Sequence, residues 1–305
     1  MNSPNLHIMV GLSASGKSSV AKELQQVYNG VIISSDDIRG EICEGGVIDQ
    51  SKNDEVFKIF HKRIRENLQQ GRDVIADATN ITIKARKSIF ENVKQINCNK
   101  IAHIMTKNVG QCIEDNIDRE YPVPHHVILK QMMNYQIPFY EEGFDEIIVH
   151  KYHEEIDYNF LIDTIDSMKG YDQNNPYHND TLDVHCEKVR DLFEEMNYPS
   201  HLLLSAQIHD IGKLYTRKID ENGISHYYQH ENVGTYYLLS NFANLLACTG
   251  LYTNEVLEML FLINYHMLPM RWKTATNKTI NKWKSLLGEY KFNMLLDFNT
   301  CDKSR

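Results

Sequence analysis

The sequence predicts two domains of different fold class: an α/β domain with a parallel five-stranded sheet flanked by helices, followed by an all-α domain. In the first half of the chain, short apolar runs alternate with amphipathic stretches, a pattern typical of βαβ units. In the second half, one amphipathic stretch follows another with no convincing strand between them. We therefore expect the first domain at residues 1–168 and the second at residues 169–305.

The strands of the first domain are predicted from apolar runs, and its helices from apolar residues at helical spacing. The predicted strands lie at residues 6–10, 31–33, 73–76, 101–105 and 146–149. The first strand leads directly into a glycine-containing loop, after which Val20, Leu24 and Val27 recur at near-helical spacing. Another helix is predicted at residues 55–70, where Gly71 ends it.

The second domain is expected to be helical throughout. A polar, turn-prone segment at residues 170–176 predicts a linker between the domains. The amphipathic stretches beyond this linker predict helices at residues 180–196, 199–212, 232–247, 253–267 and 278–302.

The composition is typical of a globular protein. Hydrophobic residues make up 42% of the 305 residues and charged residues 24%, both ordinary values. The six cysteines form no C-x-x-C pair and no zinc-finger spacing, so we expect reduced thiols. Residues 1–5 lack the segments of a signal peptide, and no apolar, uncharged stretch approaches the length of a membrane span. These features predict a cytoplasmic protein without a membrane partner.

The formal net charge is −9, which argues against a broad basic face for a nucleic-acid duplex. Two local basic clusters, at residues 58–65 and 84–87, allow two interpretations. In one interpretation, they line a narrow groove for the end of a nucleic-acid strand. In the other, they are the solvated faces of helices. The sequence leaves both interpretations open.

Residues 11–18 match the phosphate-binding loop pattern G-x-x-x-x-G-K-[ST], between a predicted strand and a predicted helix. Such a loop binds phosphate because successive backbone N–H groups converge on the anion at a helix N-terminus. Its lysine reaches the β- and γ-phosphates, and the hydroxyl of its last residue ligates Mg²⁺. The loop therefore predicts binding of ATP, with Ser18 as the magnesium ligand. The predicted cofactor-binding residues of the loop are Gly11, Ser13, Ser15, Gly16, Lys17 and Ser18.

An acidic segment follows the second predicted strand. Ligands bind beyond the carboxyl ends of the strands in open α/β sheets, and a hydroxyl that accepts a phosphoryl group needs a carboxylate to take its proton. Asp36 is a candidate for this role, and Arg39 shares its face if the segment is helical. The alternative is that Asp36 or Asp37 caps a helix.

Two further charged residues lie where they can serve the same site. Asp77 ends the third predicted strand, where it can hold Mg²⁺ through water or contact the acceptor. Arg119 lies at the end of a predicted helix, before a stiff turn that contains Pro122 and Pro124. An arginine there can close over the phosphates and stabilise charge in the transition state. The alternative for Arg119 is an ordinary surface position on the helix.

The first domain resembles the 5′-hydroxyl polynucleotide kinases of the phage type over most of residues 6–150. The resemblance rests on the phosphate-binding loop and on the elements Asp36-Asp37-Ile38-Arg39, Asp77-Ala78-Thr79-Asn80 and Arg119 with Val123-Pro124. It implies that Asp36 is the general base, that Arg39 contacts the 3′ phosphate of the acceptor, and that Arg119 contacts the donor phosphates. Related small-molecule kinases share the loop and the lid but need not share Asp36 with Arg39.

The second domain carries an adjacent histidine–aspartate pair with further possible ligands on other predicted helices. Imidazole and carboxylate groups gathered from several helices suit Mn, Fe, Co, Ni or Zn. Such a metal would acidify a water for attack on phosphorus and neutralise the developing charge. Lys213, one turn after the pair, can reach a phosphate oxygen. The candidate ligands are His185, His209, Asp210, His230, His266 and Asp302.

This domain resembles the HD-domain metal-dependent phosphohydrolases over roughly residues 176–305. The family pattern H…HD…D is matched by His185, His209, Asp210 and Asp302. Members that use a second metal or extra phosphate contacts draw on histidines placed like His230 and His266. The resemblance also implies that His178 lines the substrate pocket.

Together, the two resemblances imply a bifunctional polynucleotide kinase with an HD phosphohydrolase half, of the kind that repairs nucleic-acid ends. The kinase half would use ATP and Mg²⁺ to phosphorylate a 5′ hydroxyl. The HD half would use Mn²⁺, Co²⁺, Ni²⁺ or Zn²⁺ to remove a 3′ phosphate, a 2′ phosphate or a 2′,3′-cyclic phosphate. The implied partners are RNA or DNA strand ends, with RNA expected, and a nucleic-acid ligase that joins the healed ends.

Two alternatives remain open at the level of sequence. In the first, the chain is a nucleoside-type small-molecule kinase fused to an HD nucleotidase. In the second, it is a kinase regulated by an HD module that only binds a nucleotide. The pair of Asp36 and Arg39 favours an acceptor that carries a 3′ phosphate, and the intact set of HD residues argues against a purely regulatory module.

Overall fold

The computed structural model of the protein describes residues 3–43, 50–119, 122–152, 155–176 and 179–304. The chain forms two compact units. The first comprises Met1–Gln131 and Glu142–Tyr152, and the second comprises Met132–Glu141 and His153–Arg305.

The second unit starts earlier in the chain than the boundary expected at residue 168. Phe160 is buried, and its ring centroid lies 5.8 Å from that of Tyr237. The backbone N–H of Ile137 donates to the side-chain oxygen of Asn264 at 2.8 Å. These contacts join residues that are far apart in sequence, which local patterning does not reveal.

The first unit is built on one parallel sheet. Its strands are β1 Asn5–Val10, β2 Val31–Ser34, β3 Val74–Asp77, β4 Asn99–Met105 and β5 Glu146–His150. Their order is β2-β3-β1-β4-β5, and every neighbouring pair is parallel. The predicted five-stranded parallel sheet is confirmed, and the strand ends differ from the prediction by two residues at most. The carboxyl ends of β1, β2 and β3 therefore meet at one edge, where their following loops can form a single site.

Helices connect the strands of the first unit. They are α1 Lys17–Tyr28, α2 Ser35–Ile42, α3 Asn53–Gln69, α4 Ile83–Val93, α5 Val109–Asp115 and α6 His125–Met133. In α1, Val20 and Leu24 pack against the sheet core, as their spacing predicts. Val27, which the same spacing places on this face, is 75% exposed, because the helix ends one residue later and Asn29 adopts a left-handed conformation.

One of the two basic clusters is interrupted by a buried ion pair. Arg86 is fully buried and donates from Nε and Nη2 to the two carboxylate oxygens of Glu142 at 2.7 and 2.6 Å. It also donates to the carbonyl oxygen of Asn80 at 3.0 Å. Arg86 therefore belongs neither to a solvated helix face nor to a nucleic-acid groove. Its ion pair instead joins α4 to Glu142, the residue at which the chain returns to the first unit.

The second unit is mainly helical. Its helices are α7 Phe160–Asp166, α8 Leu182–Glu194, α9 Ser200–Ile208, α10 Lys213–Thr216, α11 His230–Ser240, α12 Phe242–Thr249, α13 Thr253–Tyr265, α14 Leu268–Trp272 and α15 Asn277–Lys303. A short antiparallel pair, β6 Lys218–Ile219 and β7 Ser225–His226, was not expected from the sequence.

One predicted helix is split into two, and another ends four residues early. The helix expected at residues 232–247 is split at Asn241, whose side chain donates to the carbonyl oxygen of Tyr237 at 2.9 Å and competes with the backbone. The helix expected at residues 199–212 ends at Ile208, so His209 and Asp210 lie in the turn that follows it.

Among the described residues, no single helix is both long and apolar enough to cross a membrane. The helix pair Phe242–Thr249 and Thr253–Trp272 meets the length and composition criteria only when taken together, and it is bent by 115°.

Candidate functional site

The phosphate-binding loop joins the end of β1 to the start of α1 and depends on two glycines. A Cβ atom on Gly11 would lie 2.9 Å from the Cβ of Met105, too close for any larger residue. Gly16 has a φ of 92°, in the left-handed region that glycine adopts without strain. The loop therefore has the tight turn that the sequence pattern predicts, placed directly before a helix N-terminus.

The basic and hydroxyl groups of the loop face the acid at the end of β3. Lys17 is buried, and its Nζ donates to the carbonyl oxygen of Leu12 at 2.6 Å. Ser18 Oγ donates to Asp77 Oδ2 at 2.7 Å. Burial lowers the pKa of Lys17, against the opposing effect of Asp77, and burial raises the pKa of Asp77. Ser18 and Asp77 together offer hydroxyl and carboxylate oxygens, the donors that Mg²⁺ prefers.

Asp36 lies in the first turn of α2 and is held by two arginines. Arg39 Nη1 donates to one carboxylate oxygen at 2.9 Å, and Arg119 Nη2 donates to the other at 2.8 Å. The N-cap of the helix is Ser34, whose hydroxyl accepts from the backbone N–H of Asp37 at 3.2 Å. The alternative that Asp36 or Asp37 caps the helix is therefore wrong. The carboxylate of Asp36 is left to face the site.

These groups border one cavity of about 500 Å³ in the first unit. The predicted residues on its wall are Ser13, Ser15, Gly16, Lys17, Ser18, Asp36, Arg39, Asp77 and Arg119. Gly11 supports the loop from behind without lining the cavity.

Gln131 on α6 is part of the site and was missed by sequence reasoning. Its Oε1 accepts from the backbone N–H of Ser13 at 2.8 Å, and its Nε2 donates to Ser13 Oγ at 3.0 Å. Gln131 and Ser13 are 118 positions apart, so the local sequence around either residue does not indicate this contact.

The second unit gathers a buried cluster of imidazoles and carboxylates from several helices. His185 lies on α8, His209 and Asp210 in the turn after α9, His230 at the start of α11, His266 directly after α13 and Asp302 near the end of α15. All six candidate ligands named from the sequence are thus brought together. His178 lies outside the described residues.

Three of the histidines are oriented in the same way. The Nδ1 atoms of His209, His230 and His266 lie 2.8, 2.8 and 2.7 Å from the carbonyl oxygen three residues earlier in the chain. A carbonyl oxygen only accepts, so each Nδ1 carries a proton and donates it. In the neutral imidazole, Nε2 then carries a lone pair. Nδ1–H donation of this kind is how metal-binding histidines are commonly held.

The Nε2 atoms of four histidines converge on Asp210. Its Oδ1 lies 3.0 Å from His230 Nε2 and 3.7 Å from His266 Nε2. Its Oδ2 lies 3.3 Å from His209 Nε2 and 3.6 Å from His185 Nε2. Asp210 therefore presents one oxygen to each of two histidine pairs.

Asp302 completes the side of the cluster that contains His185 and His209. Its Oδ1 lies 3.1 Å from His185 Nε2 and 3.4 Å from His209 Nε2. In two overlapping sets of three residues, each containing Asp210, the possible ligand atoms all lie within 4.8 Å of one another. Such spacing suits coordination of a metal ion by imidazole and carboxylate ligands.

The carboxylates of this cluster remain ionised. Burial raises the pKa of Asp210, but the His209 and Lys213 charges lower it more, to well below its usual value. Burial also raises the pKa of Asp302, but the neighbouring imidazoles of His185 and His209 lower it more, to well below its usual value. Burial together with His209 and His230 lowers the pKa of His266 to about 3, so this imidazole is neutral near pH 7.

Lys213 is placed next to the cluster by the short helix α10. Its Nζ lies 2.7 Å from Asp210 Oδ2 and donates to Gln173 Oε1 at 2.8 Å. Lys213 and every residue of the cluster except His209 line a cavity of about 650 Å³, together with Gln173 and Tyr227. The last two residues were not expected from the sequence, because neither belongs to a motif.

Comparison with known proteins supports the interpretation of the first unit. Residues 6–138 match the model of the AAA domain family. The match covers the phosphate-binding loop and four of the five strands. Together with the parallel sheet, it supports a P-loop, nucleotide-binding fold for this region.

Several solved structures are similar to parts of the chain at low identity. A structure of the Pnkp1/Rnl/Hen1 RNA repair complex is 20% identical, with a TM-score of 0.39, and the match covers 43% of this chain and 43% of that chain. A fungal RNA kinase is 15% identical with a TM-score of 0.36, covering 55% and 87% of the two chains. A gluconokinase from Sinorhizobium meliloti 1021 is 14% identical with a TM-score of 0.37, covering 51% and 86%. Similarities at this level do not specify a substrate.

Proposed function

We propose that the chain is a bifunctional end-healing enzyme for nucleic acid, with RNA as the expected substrate. The first unit is the ATP-dependent kinase for a 5′ hydroxyl, and the second is a metal-dependent HD-type phosphohydrolase for a terminal 2′,3′-cyclic, 2′ or 3′ phosphate. RNA breaks with a 5′ hydroxyl and a cyclic phosphate need both activities before a ligase can join them.

The kinase proposal rests above all on the position of Asp36 in the cavity that contains the phosphate-binding loop. Asp36 can accept the proton of the attacking 5′ hydroxyl, because its side chain is 59% exposed on the cavity wall. Lys17 is placed for the donor phosphates, and Ser18 with Asp77 for Mg²⁺. Arg119 supplies positive charge beside the same cavity.

Arg39 favours a polynucleotide acceptor over a bare small molecule. It lies one helical turn from Asp36 and lines the same cavity, so a phosphate on the acceptor can bind beside the general base. Arg39 is itself positioned by Asn53, whose side-chain oxygen accepts from Arg39 Nη2 at 2.9 Å. A small-molecule acceptor without a phosphate gives this guanidinium no comparable partner.

The hydrolase proposal rests on the convergence of the Nε2 atoms on Asp210. His209 Nε2 is buried and has no hydrogen bond of acceptable geometry among the described residues, although a carboxylate oxygen lies 3.3 Å away. His230 Nε2 and His266 Nε2 lie only 3.2 Å apart with both Nδ1 atoms donating elsewhere. Imidazole nitrogens and carboxylates arranged in this way fit a bound cation, and imidazole ligands favour a transition metal.

One side of the cluster would hold a metal ion through His185, His209, Asp210 and Asp302. The other side would hold one through His230, His266 and Asp210. The metal supplies Lewis acidity, which lowers the pKa of a bound water and neutralises charge on phosphate oxygens. Lys213 holds its ammonium group beside Asp210 and can donate to an oxygen of the phosphate.

The test uses two oligoribonucleotides, one with a 5′ hydroxyl and one with a 2′,3′-cyclic phosphate, and their deoxyribonucleotide counterparts with a 3′ phosphate. We expect ATP-dependent phosphorylation of the first with Mg²⁺ and hydrolysis of the second with Mn²⁺, Co²⁺, Ni²⁺ or Zn²⁺. Phosphorylation of free nucleosides but not of oligonucleotides would favour the alternative of a small-molecule kinase with a nucleotidase. Kinase activity that changes with added nucleotide, without any hydrolysis, would favour a regulatory second unit.

A further inference from the structure

Two lysines at the ends of α14 and α15 line the cavity that borders the histidine–aspartate cluster. Lys273 directly follows α14, Lys303 is the last residue of α15, and both line the cavity. The Lys303 ammonium also donates to the side-chain oxygen of Asn299.

These two lysines differ from the other lysines on the same wall. Lys213 Nζ and Lys188 Nζ each lie 2.7 Å from a carboxylate oxygen. Within the part of the chain that the structure describes, neither Lys273 nor Lys303 forms an ion pair within 4.0 Å. Two ammonium groups on one cavity wall, each without a carboxylate of the described residues within ion-pair distance, attract an anion to that wall.

The cavity is large enough for more than a single phosphate group. Its volume is about 650 Å³, within the range of roughly 300–1,000 Å³ that is usual for small-molecule sites. Part of its wall is apolar and comes from Met267 and Met270, while Tyr227 adds an aromatic ring. Such a wall suits a sugar and a base between two polar ends.

We infer that Lys273 and Lys303 form a second phosphate subsite, which binds the phosphate on the 5′ side of the nucleoside whose terminal phosphate lies at the metal cluster. This inference rests on the proposed hydrolase function and narrows its substrate. The second unit acts on the end of a strand, or on a nucleoside bisphosphate, in preference to a nucleoside with one phosphate. Lysines suit this role because they bind phosphate as point charges without fixed geometry.

The test compares a nucleoside 2′,3′-cyclic phosphate with a dinucleotide that ends in the same cyclic phosphate, using the full chain. Lys273→Met should raise KM for the dinucleotide about tenfold, because one charge-assisted contact to phosphate is lost. KM for the nucleoside should change by less than about twofold, since that substrate has no second phosphate. Lys303→Met should act in the same direction, and the double variant should show the larger loss.

Lys282→Met is the matched control, because Lys282 is an exposed lysine of α15 that does not line the cavity. An equal change with both substrates, or no change with either, would overturn the subsite.

The wild-type protein could fail to hydrolyse either substrate with every divalent ion tested. That result would contradict the proposed hydrolase function but would not test the phosphate subsite. The subsite is then decided by equilibrium binding of adenosine 3′,5′-bisphosphate and adenosine 3′-monophosphate. Lys273→Met should reduce the preference for the bisphosphate about tenfold relative to Lys282→Met. The same preference in both variants would overturn the inference.

Discussion

Asp36 and Asp210 are the carboxylates at the centre of the two candidate sites, and their surroundings suit different chemistry. The side chain of Asp36 is 59% exposed and hydrogen-bonds to two arginines, whereas that of Asp210 is 3% exposed and faces imidazoles. An accessible carboxylate can take a proton from a substrate hydroxyl. A buried carboxylate whose oxygens face several imidazole nitrogens has the surroundings of a metal ligand more than those of a base, because imidazole and carboxylate groups that converge can share one metal ion.

Replacing Asp36 should abolish phosphoryl transfer without removing nucleotide binding. We expect Asp36→Asn to lower the rate of 5′ phosphorylation by roughly 10²–10⁴-fold, the usual contribution of a general base, because an amide cannot accept the proton. ATP affinity, measured by titration, should change by less than about threefold. Asp37→Asn is the control, since Asp37 lies in the same helical turn but does not line the cavity. A wild-type rate for Asp36→Asn would show that another group is the base.

Replacing Arg39 should separate acceptors by their phosphate. Arg39→Ala should weaken an acceptor with a 3′ phosphate about ten- to a hundredfold in kcat/KM, because a charge-assisted hydrogen bond is lost. A bare nucleoside should be affected little. Arg63→Ala is the control, because Arg63 pairs with Glu41 and does not line the cavity. Equal losses with both acceptors would point to a small-molecule kinase or to a folding defect.

At the scale of elements, the histidine–aspartate cluster depends on a close crossing between the turn after α9 and the start of α11. A Cβ atom on Gly212 would collide with the carbonyl oxygen of His230 and would lie 2.7 Å from the backbone nitrogen of Gly234. Because these atoms belong to the backbone, no side-chain movement relieves the collision. The two glycines therefore set the distance between Asp210 and His230.

Gly212→Ala should displace α11 and damage the cluster while the first unit keeps its activity. We expect metal affinity, measured by competition with a chelator, to fall about ten- to a hundredfold, as it does when the positioning of ligands is disturbed. Phosphohydrolase activity should fall with it, and kinase activity should stay at the wild-type level. Full metal affinity in a folded Gly212→Ala variant would contradict the role of this crossing.

Another feature at the scale of elements is a row of three histidines across the sheet, of which His7 and His103 are buried and His150 is partly exposed. His7 Nδ1 lies 2.9 Å from His103 Nε2, and His103 Nδ1 lies 2.9 Å from His150 Nε2, which joins β1, β4 and β5. Burial lowers the pKa of His103 to about 3, with smaller effects from His7 and His150. The folded protein therefore holds His103 neutral near pH 7.

The first unit should lose stability on acidification because of this row. Between pH 6.5 and about 3, the unfolded chain binds a proton at His103 and the folded chain does not. Stability is therefore complete above pH 6.5 and falls by roughly 1.4 kcal/mol per pH unit below it for each such group. Hydrogen exchange of β1 and β4 amides, corrected for intrinsic rates, measures this slope. His103→Leu should reduce the slope, whereas His125→Leu, at an exposed position, should not.

At the scale of the whole molecule, the sequence predicts features that depend on local pattern, and it misses those that depend on distant contacts. The strands and the phosphate-binding loop follow from apolar runs and glycine spacing, which act within about ten residues. The assignment of residues 132–141 to the second unit depends on contacts such as Ile137 with Asn264, which no local pattern encodes. The positions of Gln131 and Lys273 on the walls of their cavities likewise depend on contacts between distant parts of the chain.

The sequence indicates the histidines of the cluster as candidate ligands more readily than it indicates single polar residues of either site. Adjacent His209 and Asp210 form a motif by themselves, and their partners are residue types that bind metals. The orientation of the imidazoles was not predictable, because it depends on carbonyl oxygens that are freed only where α9 and α13 end.

Two independent sites in one chain should be separable by mutation and by metal. Asp210→Ala removes the residue that contacts both histidine pairs, so we expect hydrolysis to be lost and kinase activity to be unchanged. Chelation followed by Mg²⁺ alone should restore the kinase, because the oxygen donors of Ser18 and Asp77 suit Mg²⁺. The hydrolase should need Mn²⁺, Co²⁺, Ni²⁺ or Zn²⁺, because imidazole ligands favour these ions.

Metal analysis should find a transition metal in the wild type that His209→Ala/Asp210→Ala has lost. Full hydrolase activity in that double variant would place the hydrolytic site elsewhere, whereas absence of hydrolysis in the wild type with every ion would leave a regulatory role for the second unit.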